Sequence, residues 1–506
     1  MATASEKLAA SLENLQAIQQ KGIIAIRSSL LSRTHRERLI KQGFLKEVMK
    51  GWYIPTRPDE TAGESTSWYA SYWHFTAEYL TARFVNAWSL NPEQSILLQI
   101  GNYTVPQQLY VRAPGARNQI TNLIHGTSLL EIRAAMPAEG DLTEKEGLRL
   151  FSLSSGLINC NEDFFTRNPT DARAALLMIR DASEILAPLL DGHHSVIAGR
   201  LAGGFRNVGR DRIADEILKG MKSAGYDVRE TDPFEAKIPI LVHQRERSPY
   251  IARIMVMWTA MREEVLKIFP KSTGLPKDTA AYMKDVDDSY VKDAYNSLSI
   301  EGYRVSTALI EKVRSGKWSP ETDESDRNQY NAMAARGYWQ AFQAVKESVK
   351  KILNGENAGK VTDDDHSTWF REMWAPGIAA GITKAADLAG YRNMPVFIRR
   401  SLHTPPNVDA VRDLMPVLFE LLAAEKEPAV RVVLGHFVFV YIHPYKDGNG
   451  RIGRFLMNAM MASGGYSWTV IPLERRDEYM AALEQASVGQ DIRPFTHFIA
   501  SLLQKR

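Results

Sequence analysis

Apolar residues in the last third of the chain recur at spacings of three and four. LMPVLFELLAAEKEP (414–428) and AVRVVLGHFVFVYI (429–442) stand back to back. The second run is rich in β-branched residues, so a buried strand is conceivable. Its length, and the run before it, favour two consecutive helices, the second apolar nearly all round and therefore central. RFLMNAMMASGG (454–465) is helical by spacing and ends on a Gly-Gly C-cap. Further upstream, DARAALLMIRDASEILAPLLDG (171–192) and DRIADEILKGMKSAGY (211–226) also read as helices. WYASYWHFTAEYLTARFV (68–85) is helix-like, whereas ILLQIGNYTVPQQLYVRAP (96–114) and NLIHGTSLLEIR (122–133) have a strand-like or mixed character.

The front of the chain has its own pattern. After QQKGIIAIRSSL comes SRTHRERLIKQ (32–42), a short helix with a basic face, and then FLKEVMKGWYIP (44–55), an alternating hairpin turning at Lys50-Gly51. Two or three small helices and a hairpin make a winged helix-turn-helix, a module that reads DNA. Arg33, Arg36, Arg38 and Lys41 would lie on or near its second helix, available for phosphates or base edges. A solvated basic helix face is the plainer alternative.

The predicted fold is mainly α: a mostly helical C-terminal half, preceded by a winged helix and an α+β region. A length of 506 residues is too great for one core. The expected segments are a winged helix over 1–60, an α+β region over 61–155, helices over 156–245, further helices over 246–364 and a core domain over 365–506. TDPFEAKIPILVHQRERSPY (231–250), with its prolines and charge run, is the candidate linker. A net charge of +3 argues by itself for no partner. The single cysteine, Cys160, excludes an intramolecular disulfide framework and a cysteine-based zinc site, and fits a reducing compartment. The polar N-terminus lacks a secretory h-region, and no apolar stretch is long enough for a bilayer, so the expected location is cytoplasmic, with no membrane contact. NGENAGKVT (354–362) is similar to a phosphate-binding P-loop but departs from it. It has three residues between its glycines where that loop has four, and Val361 stands where Ser or Thr would be needed. A helix-ending turn is expected there.

The chemistry concentrates in HPYKDGNGRIGR (443–454), the joint between the central helix and the next. Gly448 and Gly450 permit backbone angles that gather successive N–H groups into one concavity at a helix start, which is how backbone binds phosphate. Arg451 and Arg454, three apart, could grip a polyphosphate. Asp447 is a hard oxygen ligand suited to a magnesium ion carried by that phosphate, and Asn449 can hydrogen-bond a phosphate oxygen. His443 can take a proton near neutrality and is the candidate general base.

This stretch is similar to the HPFxDGNGRxxR signature of the Fic family, whose members mostly transfer AMP from ATP to a protein hydroxyl. The one departure is Tyr445 for Phe. The resemblance implies that His443 deprotonates a Ser, Thr or Tyr of a target protein and that Asp447 binds Mg²⁺. Asn449 and the loop amides would hold the α-phosphate of the co-substrate ATP, with Arg451 and Arg454 on the outer phosphates. The resemblance implies an all-helical C-terminal fold with a β-hairpin flap: GYRNMPVFIRRSLHTPP (390–406) resembles that flap, so Met394, Pro395, Val396, Phe397 and Ile398 are expected to dock the target as an added strand. In PLERRDEYMAALEQASVGQDIRPFTHFIASLL (472–503), which resembles the closing helices, Tyr479 is placed near the nucleotide, or simply in the core.

Upstream, YNSLSIEGYRVS (295–306) carries Ser297, Glu301 and Gly302, similar to the family's inhibitory [ST]xxxE[GN] pattern. The implied brake is a carboxylate of Glu301 on the guanidinium of Arg454. The front half resembles winged-helix antitoxins of the AbiEi type, on KQGFLKEVMKGWYIP and, more loosely, on GRLAGGFRNVGRDRIADEILKGMKSAGYDVRE (199–230). The expected function is an autoinhibited protein adenylyltransferase with a DNA- or partner-binding front module. A nucleotide-sensing regulator or antitoxin, a de-AMPylase, and a Fic enzyme using another nucleotide are the alternatives. A homodimer is left open.

Overall fold

The computed structural model describes residues 3–503 apart from 59, 61–64, 235–247, 318–329 and a few positions between 382 and 389. The chain forms two compact units, Met1–Arg245 with Val396–Thr404, and Glu246–Pro395 with Pro405–Arg506. The candidate linker falls largely on 235–247, outside the described residues. The expected boundaries at 155/156 and 364/365 fall inside helices, Leu153–Asn159 and Ala358–Ala379.

In the first unit, a capping box between Thr3 and Glu6 starts the helix Ala4–Gln19. Ser32 caps the helix Arg33–Lys41. Strands β1 (Ile26–Arg27), β2 (Leu45–Met49) and β3 (Trp52–Pro55) form an antiparallel sheet in the order β1-β3-β2, with the turn at Lys50-Gly51 made possible by Gly51 at φ 82°. Leu15, Ile26, Leu39 and Leu45 make a small core beneath it. The long helix Thr66–Phe84 buries Trp68, Tyr72, Phe75 and Tyr79. They join a core with four strands, β4 (Ser89–Leu90), β5 (Gln108–Ala113), β6 (Gln119–Asn122) and β7 (Ser128–Arg133), ordered β4-β5-β7-β6 with β5 and β7 parallel. A hairpin of β8 (Leu142–Lys145) and β9 (Leu148–Phe151) leads into helices that run to Ser223. Residues Val396–Thr404 pack with this unit, Leu402 O accepting from Val105 N–H at 3.3 Å.

The second unit is helical. The apolar run 429–442 is a helix, not a strand: Pro428–Ile442 opens on a proline at its first turn and is buried along almost its whole length. It crosses the helix Asn449–Ser463 closely because Gly453 has no side chain; a Cβ there would lie 3.0 Å from Val440 and 3.3 Å from His436. NGENAGKVT is the end of the helix Tyr330–Leu353 and the start of Ala358–Ala379, whose cap is Asn357. The expected flap is not a paired hairpin. Among the described residues from 390 to 406 the backbone makes bends and turns with no strand. Two prolines at its far end, Pro405 and Pro406, remove donors that a ladder would use. No described helix is long and apolar enough to cross a membrane.

Candidate active site

His443 stands where the central helix surfaces, in the left-handed region at φ 52°. That kink turns the chain from the end of one helix to the start of the next within a few residues. Its Nδ1 lies 3.1 Å from Val440 O, which can only accept, so Nδ1 carries the proton and Nε2 keeps a lone pair. Burial lowers its pKa to about 4, with the Arg392 cation adding to the effect and Val440 O, Glu301 and Asp447 opposing it. The imidazole is therefore neutral at pH 7 and able to accept a proton.

The loop that follows is braced from within. The Tyr445 ring is buried and stacks on Phe370 at 3.9 Å. Asn449 also braces the loop: its Oδ1 accepts from Tyr445 N–H and its Nδ2 donates to Tyr445 O, both at 2.8 Å. An amide nitrogen carries two hydrogens, so this bracing occupies one of them and leaves the second, with the backbone N–H, as further donors. Gly448 takes φ 89° as the residue before the helix. Ile452 is the first to close a bond back to it, at 3.0 Å, so the N–H groups of Asn449, Gly450 and Arg451 form the open helix start.

Arg451 is almost fully buried, its guanidinium between the rings of Tyr303 and Trp374 at 5.1 and 5.0 Å. Asp447 is 3.6 Å away, too far for a hydrogen bond. Arg451 Nε and Nη2, and the neighbouring Trp374 Nε1, are buried donors with no hydrogen-bond acceptor. Leaving such groups unmatched costs about 1–3 kcal/mol each, which an anion seated beside them would recover. The residues thus fit a polyphosphate. For metal, no group of three or more His, Cys, Asp or Glu gathers among the described residues. Asp447, its side chain 60% exposed, offers one hard oxygen. That suits an ion arriving with phosphates rather than a resident one.

Arg454 is held by the end of the helix Thr279–Ile300. Its Nε donates to Ser297 Oγ at 2.8 Å, and its Nη2 donates to Ser297 O at 3.1 Å and Glu301 Oε1 at 2.7 Å. Gly302, at φ 90°, ends that helix and leaves Glu301 at its tip. Burial works against the Glu301 carboxylate, but Arg454 and Arg451 outweigh it and hold its pKa below the ordinary range. Gly450 makes the space: a Cβ there would lie 2.3 Å from Glu301 Oε1.

Sequence reading missed the layer beneath. Asp293, four residues before Ser297 on the same helix face, is buried and accepts from Tyr338 Oη at 2.8 Å. The spacing 293, 297, 301 was a readable signal. Burial raises the Asp293 carboxyl from 3.8 to about 6, against the Tyr338 hydrogen bond and the Arg454 charge. A raised carboxyl favours the native state while protonated, so its contribution declines as pH climbs from about 4 to about 6. Relative to Asp293→Asn, the parent should lose on the order of 2 kcal/mol between about pH 4 and pH 7. Thermal melts of both proteins across that range test this; parallel curves would reject it.

Tyr479 is buried against Phe495 and Phe498, and its hydroxyl meets His436 Nε2 at 2.7 Å, the core placement that the sequence also allowed, with the Arg454 cation close enough to act on it. In the first unit, three of the four basic candidates are engaged within the chain. Arg33 pairs with Glu37 at 2.7 Å, Arg36 donates to Ser28 O at 2.9 Å, and Arg38 donates to Lys7 O and Ser11 Oγ at 2.7 Å. Lys41 is exposed at the helix end.

A helix-loop-helix sets a neutral imidazole before an open, arginine-flanked helix start, an arrangement suited to holding phosphate. Residues 366–461 match the model of the Fic/DOC family. The chain is similar to the protein adenylyltransferase Fic of Nematostella vectensis, 28% identical over 240 residues, 46% of this chain and 52% of that protein. It is also similar to the protein adenylyltransferase Fic of Drosophila virilis, 38% identical over 237 residues, 46% of this chain and 45% of that one. The chain thus spans about half the length of the curated relatives it matches. Among solved structures it is similar to Fic-1 (aa134–508) of C. elegans, 19% identical, covering 67% of this chain and 89% of that one, with a TM-score of 0.36.

Proposed function

We propose that this protein is an autoinhibited adenylyltransferase that moves AMP from Mg-ATP to a hydroxyl of a target protein. The observation that carries the reading is that Arg454, positioned to take the end of a triphosphate, is held by Glu301 instead, at 2.7 Å. The N–H groups of Asn449, Gly450 and Arg451 bind the inner phosphates, and Arg451 takes the outer ones. Asp447 would hold Mg²⁺, which neutralises phosphate charge. His443 Nε2 accepts the proton as the target oxygen bonds to the α-phosphorus. The bond from that phosphorus to the bridging oxygen breaks, and pyrophosphate leaves. With Glu301 on Arg454, ATP enters with its γ-phosphate displaced, and misplacement by about 1 Å can lower the rate roughly 10²-fold.

The Glu301→Gly chain, incubated with lysate and either α- or γ-labelled ATP, should label proteins from the α position alone. Label from the γ position would mean phosphoryl transfer, and preferential use of competing UTP would mean another nucleotide. The helices and sheet of residues 4–55 support the winged-helix reading of the front module. The internal contacts of Arg33, Arg36 and Arg38 favour a protein partner for it over DNA. An electrophoretic shift on DNA that vanishes with Lys41→Ala would reverse that preference.

A further inference from the structure

Arg392 lies outside the signature, at the base of the segment expected to dock the target. It is 3% exposed, and its guanidinium spreads across backbone carbonyls. Nε donates to His443 O at 2.8 Å, Nη1 to Met394 O at 3.3 Å, and Nη2 to Ile442 O at 3.4 Å and also to Pro406 O. Its own backbone N–H donates to Pro444 O at 2.8 Å. Two of the side-chain acceptors end the central helix, where the helix dipole is negative and favours a cation. The other two bracket the docking segment, Met394 on its way out and Pro406 on its return. A helix cap would need only the first two. A planar fork of five donors can serve all four, and an ammonium cannot reproduce that spread.

We propose that Arg392 is a positioning residue for the transfer reaction: one guanidinium ties the backbone at Met394 and Pro406 to that of Ile442 and His443, and so fixes where Nε2 meets the attacking hydroxyl. The proposal rests on the adenylyltransferase reading of this site. Burying a guanidinium without matched acceptors is strongly unfavourable, and the four carbonyls match it. The charged groups around the imidazole are Arg392 at the flap base, Glu301 at the tip of the helix Thr279–Ile300 and Asp447 in the loop. Arg392 is the cation among them, so its removal reaches both the geometry and the charge of the base.

The test compares the full chain carrying Glu301→Gly with the same chain also carrying Arg392→Lys or Arg392→Met. Calorimetry gives the Mg-ATP affinity, α-labelled ATP gives the transfer rate, and NMR of ¹³Cε1-histidine, assigned with His443→Ala, gives the titration midpoint of the base. Affinity should stay within about twofold while transfer falls about 10²-fold in both variants, the scale of a misaligned nucleophile. The His443 midpoint should rise in Arg392→Met and hold in Arg392→Lys, a split that a purely structural role would not produce. Transfer within threefold of the parent in both variants would overturn the proposal, as would affinity falling in step with transfer. Should the parent itself transfer nothing, the adenylyltransferase reading fails on its own. An unmoved midpoint in Arg392→Met would still refute the link from Arg392 to the base.

Discussion

Glu301→Gly is expected to raise AMP transfer by about 10²-fold over the parent chain. The gain comes from releasing Arg454, whose bond to the Glu301 carboxylate is charge-assisted and buried on the arginine side, 4% exposed against 31% for the glutamate. Bonds of that kind are worth about 1.5–3 kcal/mol, which corresponds to rate factors of the same order. The substitution is mild for the fold, because Glu301 sits just beyond the last turn of its helix and Gly302 already provides the left-handed stop. Ser297 still holds Arg454 through two bonds, so the arginine stays in place to meet a γ-phosphate. Initial rates with α-labelled ATP decide the matter, and equal labelling by both chains removes the brake from the account.

In the Glu301→Gly background, His443→Ala is expected to lower transfer by about 10² to 10⁴. Mg-ATP affinity should hardly move, because the imidazole is engaged with Val440 O and not with the helix start. Alanine in the same left-handed conformation costs about 1–2 kcal/mol, as histidine already does, so the kink survives the change. Rates and affinities measured together separate the two effects. A variant that binds ATP tenfold more weakly and transfers no more slowly at saturation would make His443 a binding group instead of the base.

Much of this site could be read from the sequence because its chemistry is local. The glycines, arginines and histidine of residues 443–454 lie within one helix-loop-helix, and the loop's geometry follows from φ angles that glycine allows. The pairing of Glu301 with Arg454 spans 153 residues, and only the family pattern made it visible. Asn449 has a second task that the sequence did not show, since its amide bonds to the backbone of Tyr445, four residues back. Tyr479 stayed open between nucleotide and core because a tyrosine on an amphipathic helix gives no sign of which end its hydroxyl serves. Arg392 left no trace: its acceptors are backbone carbonyls, which every residue owns. The basic helix 33–41 was correct as a helix, but its arginines turn back on their own module through contacts that reach as far as Lys7. The flap was expected as a hairpin on the family resemblance alone, and a resemblance does not supply a partner strand.

The empty position on Gly450 constrains how control over this protein could be lost. A methyl group there would strike the Glu301 carboxylate and crowd Arg454, 3.2 Å away, so the meeting of the two depends on glycine at 450 as much as on codon 301.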